Sequence, residues 1–281
     1  MSENHTIRPA AKSDIPAIAS FLASARYIHR HLDWRSTIEW VGTQPFCLLE
    51  ESNQIVGLLA FPQDPPGISW IRCYACAPLF SPTKIWGELF AESLKMDETQ
   101  KAVICAVGLQ EWFSTLLTSN NFSHFQAIVV LAWNRKIPQV QPLPPLFELR
   151  PMVEGDIEEV AKVDQKSFEA LWVNSAETLH LAFQQSEFAE VIEHNGEIVG
   201  YQMSTANQFS AHLARLAVHP DFQRHGIGYN LVNSMFLHFR KQNIIQITVN
   251  TQQTNYSSLT LYRKLGFEVT GEHYPIMVYN R

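Results

Sequence analysis

Apolar positions along the chain follow two periods that alternate in a fixed order. Ile245, Ile247 and Val249 recur at every second residue, the pattern of a half-buried strand, whereas Leu231, Val232, Met235, Phe236 and Phe239 share one helical face. From residue 147 the pattern predicts a strand (Phe147 to Arg150), a helix starting at Glu154-Gly155-Asp156, and a variable helical segment ending near Phe183-Gln184. Two strands follow, Phe188 to Glu193 and Glu197 to Met203, flanking Asn195-Gly196, a dipeptide suited to the positive φ angles of a tight hairpin. A fourth strand (His212 to Val218), the long helix, the fifth strand, a helix over Asn255 to Leu265 and two last strands, around Phe267 to Thr270 and His273 to Tyr279, complete the series. This order predicts the α/β (α+β) class.

The same series occurs upstream. A strand at Thr6 to Arg8 precedes a helix start at Ser13-Asp14, a helical segment ending near Glu39-Trp40, and a hairpin of Phe46 to Glu50 and Ile55 to Phe61 around Ser52-Asn53. Arg8-Pro9 and Asp14-Ile15 recur 142 residues later as Arg150-Pro151 and Asp156-Ile157; Ile55-Val56-Gly57 recurs after 143 as Ile198-Val199-Gly200. Pro78 and Phe80 recur after 142 as Pro220 and Phe222, and Phe122 after 145 as Phe267. A near-constant offset of domain size predicts two tandem domains rather than a solenoid. The cut falls near residue 140, in the proline-rich run Ile137-Pro138-Gln139-Val140-Gln141-Pro142-Leu143-Pro144-Pro145, which favours an extended linker. The expected division is 1–137, a linker at 138–146, and 147–281.

Composition narrows the class. A chain of 281 residues, 46% hydrophobic and 17% charged, suffices for two cores. A net charge of −6 without a basic stripe argues against nucleic acid as partner. No run approaches the ~20 apolar residues of a membrane span. Met1-Ser2-Glu3-Asn4 lacks the basic and apolar regions of a secretory leader, so no membrane partner and a cytoplasmic location are expected. Cys73 and Cys76 form a C-x-x-C, but in an apolar run with no second pair, so they and Cys47 and Cys105 are expected as buried thiols with no metal.

The chemistry centres on Leu216-Ala217-Val218-His219-Pro220-Asp221-Phe222-Gln223-Arg224-His225-Gly226-Ile227-Gly228-Tyr229, a strand, a polar loop and a helix start opened by two glycines. Free N–H groups and the positive end of the helix dipole suit an anion there, and glycines let it approach the backbone.

Gln223-Arg224-His225-Gly226-Ile227-Gly228 resembles the Q/R-x-x-G-x-G/A signature of the GNAT superfamily of N-acetyltransferases. Downstream, Asn255-Tyr256-Ser257-Ser258-Leu259-Thr260-Leu261-Tyr262-Arg263-Lys264-Leu265-Gly266-Phe267 is similar to the family's N-x-x-(small)-x-x-L-Y-x-K-x-G-F stretch. The resemblance implies acetyl-CoA as cosubstrate, its pyrophosphate on Gln223 to Tyr229, its pantetheine arm along Leu216, Ala217 and Val218, and Asn255 and Ser258 beside the arm. It implies an amine acceptor and makes Tyr262 the acid that protonates the leaving thiolate. Asn255 equally suits a helix N-cap. The glutamate base of ribosomal-protein alanine acetyltransferases is matched by Thr248, which cannot serve. His212, in a strand that looks like the fourth strand of arylalkylamine acetyltransferases with Ala214 at the second histidine position, is the substitute base; Glu193 is a weaker one. Trp172, Tyr201, Tyr274 and Tyr279 are candidates to line an acceptor pocket.

The upstream half departs from the motif. Pro82, Lys84, Trp86 and Leu117 stand opposite Arg224, Gly226, Gly228 and Tyr262, so that half is expected to keep the fold without the cofactor site. The alternative to an acyltransferase is a non-catalytic acyl-CoA-binding or interaction module, and either a monomer or a homodimer is compatible.

Overall fold

The structure, a computed structural model, describes residues 5–134, 138, 139, 141–242 and 244–281. Ile137 and Val140 of the proline-rich run, and with them the end of the first expected domain, lie outside the described residues. The fold is mixed α/β.

Strands and helices of the first half are β1 (His5–Pro9), α1 (Ile15–Ser24), β2 (Tyr27–Arg30), β3 (Phe46–Glu51), β4 (Gln54–Ala60), β5 (Ile68–Trp70), β6 (Cys73–Cys76), α2 (Pro82–Ser93), β7 (Val103–Val107), α3 (Glu111–Thr118) and β8 (Phe122–Trp133). Those of the second half are β9 (Phe147–Pro151), α4 (Ile157–Ser167), α5 (Ala176–Gln185), β10 (Phe188–His194), β11 (Glu197–Ala206), β12 (Ser210–Val218), α6 (Ile227–Phe239), β13 (Gln246–Gln252), α7 (Tyr256–Lys264) and β14 (Phe267–Tyr279).

The chain divides into two units, but not at the proline run. The first unit is the chain up to Gln126 together with Tyr274–Arg281; the second is Ala127–His273. Most of β8 therefore belongs to the second unit and the end of β14 to the first. The two final strands expected from sequence are one: β14 runs unbroken for 13 residues through Gly271, whose φ of 92° accommodates the irregularity that its sequence signals.

Within the first unit, β1-β3-β4-β6-β2 form one sheet, and β7 pairs with β5 on one side and Ile276–Val278 of β14 on the other. Within the second, the order is β9-β10-β11-β12-β13-β8, with β14 beyond β8. Both predicted hairpins form, Asn195 and Gly196 taking φ of 52° and 84° and Ser52 and Asn53 taking 51° and 61°.

The repeat is physical as well as sequential. Arg8 bridges Asp14 and Glu50 at 2.7 Å each, and Arg150 bridges Asp156 at 2.7 Å and Glu193 at 2.5 Å. Each hairpin has its register shift at the same place, between Leu49 and Glu50 and between Ile192 and Glu193. A Cβ on Gly57 would collide with Ile85, and one on Gly200 with Ile227, so each first hairpin packs its glycine under the long helix. That contact aligns Ile85 with Ile227, and hence Trp86 with Gly228.

Candidate active site

The second unit opens where two of its strands part. β12 follows β11 from Ala211 opposite Ala206 to Val218 opposite Gly200, with one extra residue, Ala214, between the pairs Leu213–Ser204 and Arg215–Met203. Its parallel pairing with β13 stops at Leu213 opposite Val249, while β13 continues against β8 to Gln252. From Ala214 to Val218 no strand of the described residues pairs with the edge facing β13. Such an edge offers ordered N–H and C=O groups to an extended chain, the way a strand is added to a sheet. At its far end the Val218 carbonyl accepts from Ser167 Oγ at 3.1 Å and Gln223 Nε2 at 3.3 Å.

The loop after β12 closes over this opening. Arg224 (φ 69°) and Gly226 (φ 81°) bend the chain, and Gly226 caps α6 in the left-handed region that glycine tolerates best. A Cβ at Gly228 would lie 3.1 Å from Leu261, 3.7 Å from Val218 and 4.0 Å from Leu216, inside the gap between β12 and α7. The first N–H groups of α6 have no acceptor within the helix. A glycine cradle, free N–H groups and an open strand edge fit a pantetheine-linked pyrophosphate. Several loop side chains serve the loop itself: His225 Nδ1 meets the Gln223 carbonyl at 3.0 Å, and the Tyr229 hydroxyl donates to the Gln139 carbonyl at 2.8 Å. Arg224 is exposed, and Ile227 is buried under Gly200.

On α7, Asn255 caps the helix, its side-chain oxygen accepting the Ser258 N–H at 3.1 Å and its amide donating to Gln252 at 3.3 Å. Tyr262 packs edge-on to Phe267 (centroids 5.6 Å apart) within the cluster formed by Ala211, Leu213 and Phe236. Burial pushes its pKa up, with the Arg215 charge pulling the other way, so the phenol stays protonated at neutral pH.

Because Ala211 and Leu213 face that cluster, His212 between them faces the opposite side of the sheet. Its Nδ1 lies 2.8 Å from Thr248 Oγ1 on the neighbouring strand, and burial pulls its pKa down, which keeps the ring neutral. Thr248, which cannot itself serve as a base, is the partner of the His212 ring. Sequence reasoning missed this because the pair depends on the parallel register of His212 opposite Thr248.

Glu193 does not serve as a base, since Arg150 holds its carboxylate. Tyr201 does not line a pocket. It is fully buried and donates to Asp164 at 2.5 Å, and Asp164 also pairs with Arg215 at 2.6 Å. The Arg215 guanidinium lies 3.7 Å over the Phe168 ring and donates to the Trp172 carbonyl, so the residue after the bulge is held from three sides. Tyr274 and Tyr279 belong to the first unit, where Tyr279 packs on Phe90 and Phe122.

The first unit shows the same positions closed. β5 and β6 together correspond to β12, broken at Ile71-Arg72, where β12 bulges. β5 pairs in parallel with β7 as β12 does with β13, and β6 pairs with β4 as β12 does with β11. On the free edge, however, β2 pairs with β6 from Tyr27 opposite Cys76 to Arg30 opposite Cys73. Ser81 caps α2 through Lys84 N–H, and Trp86 is fully buried, edge-on to Tyr74 at 5.1 Å. Leu117 lies in the same core. All four cysteines are buried here, Cys73 and Cys76 with thiols pushed up to about 11 by burial. Among the described residues no group of three or more His, Cys, Asp or Glu side chains is arranged to hold a metal, and no helix is long and apolar enough to cross a membrane.

A split strand pair, a glycine-capped helix and a buried tyrosine come together in one mixed α/β unit. Residues 157–267 match the model of the acetyltransferase (GNAT) family. The chain is 26% identical over 145 residues to the spore coat polysaccharide biosynthesis protein SpsD of Bacillus subtilis, covering 47% of this chain and 50% of that protein. It is 26% identical over 84 residues to the ribosomal protein bS18 alanine N-acetyltransferase of Escherichia coli K12, covering 29% of this chain and 57% of the enzyme. The chain thus spans about half the length of the curated relatives it matches. Over nearly its whole length the fold is shared with a tandem GNAT protein from the clavulanic acid biosynthesis pathway (TM-score 0.64, 12% identity, 98% of each chain). It is also shared with a GCN5-related N-acetyltransferase from Sphaerobacter thermophilus (TM-score 0.62, 15% identity, 99% and 96% covered).

Proposed function

We propose that the second unit is an acetyl-CoA-dependent N-acetyltransferase acting on a primary amine, and that the first unit binds no coenzyme. The observation that carries this reading is the contrast at one strand edge: open from Ala214 to Val218, covered by β2 in the repeat. In this reading the bound coenzyme supplies an activated acyl thioester. Leu216, Ala217 and Val218 present backbone groups to its arm, and one strand N–H polarises the acyl carbonyl. Gln223 to Tyr229 hold its phosphates by backbone N–H groups, with Asn255 and Ser258 fixing the start of α7 beside them.

His212 accepts the proton of the amine at Nε2, its Nδ1–H donating to Thr248. Tyr262, from the other face of the sheet, holds a proton at Oη for the departing sulfur. The dry surroundings that make this phenol a weak acid make a thiolate there equally eager for the proton. A cytoplasmic setting and a peptide or small-molecule amine belong to the same proposal.

Titration calorimetry with acetyl-CoA is expected to give one site per chain. Tyr262→Phe is expected to bind the coenzyme unchanged while turnover on an amine panel falls about a hundredfold. Two sites would overturn the assignment of the first unit, and unchanged turnover the role of Tyr262.

A further inference from the structure

The fork between β12 and β13 has a side that the proposed chemistry leaves unused. Val249 packs into the cluster formed with α6 and α7, and Thr251 is buried. Thr248, Asn250 and Gln252 therefore point to the opposite face of the sheet, the face of His212. The two outer members of this row are committed. Thr248 Oγ1 meets the His212 ring, and Gln252 Oε1 accepts from the Asn255 side-chain amide at 3.3 Å. Asn250 between them is half-buried, and its side chain has no hydrogen-bond partner among the described residues. It is also the first residue of β13 beyond the pairing with β12, which ends at Leu213 opposite Val249. From there β13 continues against β8, with Asn250 opposite Val130. Across the fork stands Ala214, the extra residue of β12.

Around the fork, β11 sends Met203 and Thr205 to this face, β12 sends His212 and Arg215, and β13 sends Thr248 and Asn250. Arg215 carries the one fixed charge among these side chains, and Asp164 of α4 meets it at 2.6 Å. Burial keeps the His212 ring neutral. Thr205, opposite His212, is half-buried and likewise without a hydrogen-bond partner among the described residues. A carboxylate drawn out of water among these groups meets no uncommitted counter-charge, and an alkyl group leaves the Asn250 amide unpaired. A hydroxyl or an amide, each both donor and acceptor, satisfies it. We propose that Asn250 selects the acceptor, its amide hydrogen-bonding a hydroxyl or an amide on the carbon adjoining the one that bears the amine. The inference rests on the acetyltransferase reading above, with the amine beside His212. A site built to bond such a group rejects an analogue lacking it more strongly than an apolar pocket rejects one by size.

Initial rates of the full chain with saturating acetyl-CoA and a set of simple amines test this. Glucosamine, alaninamide, isopropylamine and alanine present hydroxyls, an amide, a methyl group and a carboxylate at that position. Glucosamine or alaninamide is expected to give a kcat/KM at least about tenfold above isopropylamine and alanine. Glucosamine alone identifies a hydroxyl, and alaninamide alone an amide. Asn250→Ala is expected to shrink that preference about tenfold, through KM, while acetyl-CoA titration calorimetry verifies a folded coenzyme site. If none of the amines is acetylated although acetyl-CoA binds, the acetyltransferase reading falls, and a second readout tests Asn250 without turnover. Its side-chain NH2 signals, assigned by their loss in Asn250→Ala, are expected to shift when glucosamine or alaninamide joins the complex with coenzyme A, and not with isopropylamine. Equal kcat/KM across the amines, a preference for alanine or isopropylamine, a preference that survives Asn250→Ala, or unmoved amide signals overturns the proposal.

Discussion

The two units repeat the same ion-pair triad, the same hairpin irregularity and the same glycine-under-helix contact, and they differ at one strand edge. In the second, β12 loses β13 at a single extra residue and keeps its edge free. In the first, the strand is cut in two at the corresponding place and β2 fills the edge. Around that covered edge every other element of a coenzyme site is also closed. A serine caps the helix, a tryptophan occupies the second glycine position and packs on Tyr74, and a leucine replaces the tyrosine. The backbone groups left open along β12 are, in the first unit, taken up by another backbone.

The sharpest way to break this contrast is to carry the first unit's residue into the second. Gly228→Trp is expected to abolish acetyl-CoA binding, weakening it about a thousandfold or beyond detection, because the side chain fills the gap bounded by Leu261, Val218 and Leu216. Titration calorimetry, with circular dichroism to verify folding, reads it. The reverse exchange is not expected to create a site. Trp86→Ala should cost about 3–5 kcal/mol in denaturant unfolding, the loss of a fully buried aromatic, and still bind no coenzyme while β2 covers the edge. Coenzyme binding gained by Trp86→Ala would show that the tryptophan, not the strand, closes the first unit.

How legible this was depends on the range of the interactions. The hairpins, the glycine loop and the repeat are local, and Asn195-Gly196 or Gly226-x-Gly228 announce them. The edge strand β2 was not legible: Tyr-Ile-His-Arg at 27–30 has no strand alternation of its own and lies in a segment that read as helical. Its partner Cys73–Cys76 is distant in sequence, and only the tertiary pairing makes it a strand. The expected domain cut rests on a local signal too. The proline run suggests where to cut, whereas strand pairing decides which unit β8 and β14 join. The Tyr201–Asp164–Arg215 network was hidden because a buried tyrosine and a pocket tyrosine look alike in one sequence.

The parallel register of His212 and Thr248 gives a smaller test, confined to the second unit because Trp70 stands at the corresponding position in the first. With the His212 pKa pulled below 6.5 by burial, the imidazole is already the free base at neutral pH. The rate should rise with pH only below 6.5 and be flat through neutrality. His212→Gln is expected to lower kcat about a hundredfold and erase that limb, and Thr248→Val to lower it about tenfold while keeping it. A pH–rate profile of His212→Gln that retains the acid limb would assign the limb to another group.

The smallest contrast is a buried pair under the long helix. Counting from the triad carboxylates Glu50 and Glu193, Glu190 of β10 corresponds to Cys47 of β3. In each unit a serine of the long helix donates to that position, Ser234 to Glu190 at 2.9 Å and Ser93 to Cys47 at 3.3 Å. Burial raises both groups: the thiol stays neutral throughout the working range, whereas Glu190 rises from 4.5 to about 7 and so titrates near neutrality. A carboxyl whose pKa is higher folded than unfolded contributes stability that is complete below pH 4.5 and is lost as pH rises to about 7. Glu190→Gln keeps the serine bond without the charge. Urea unfolding at pH 5 and pH 8 should show the variant gaining roughly 2 kcal/mol relative to the parent between the two values. Cys47→Ser, at the matching place, should show no such pH-dependent difference. A parent and Glu190→Gln that respond identically to pH would mean that Glu190 is solvated, and that the two units do not differ there.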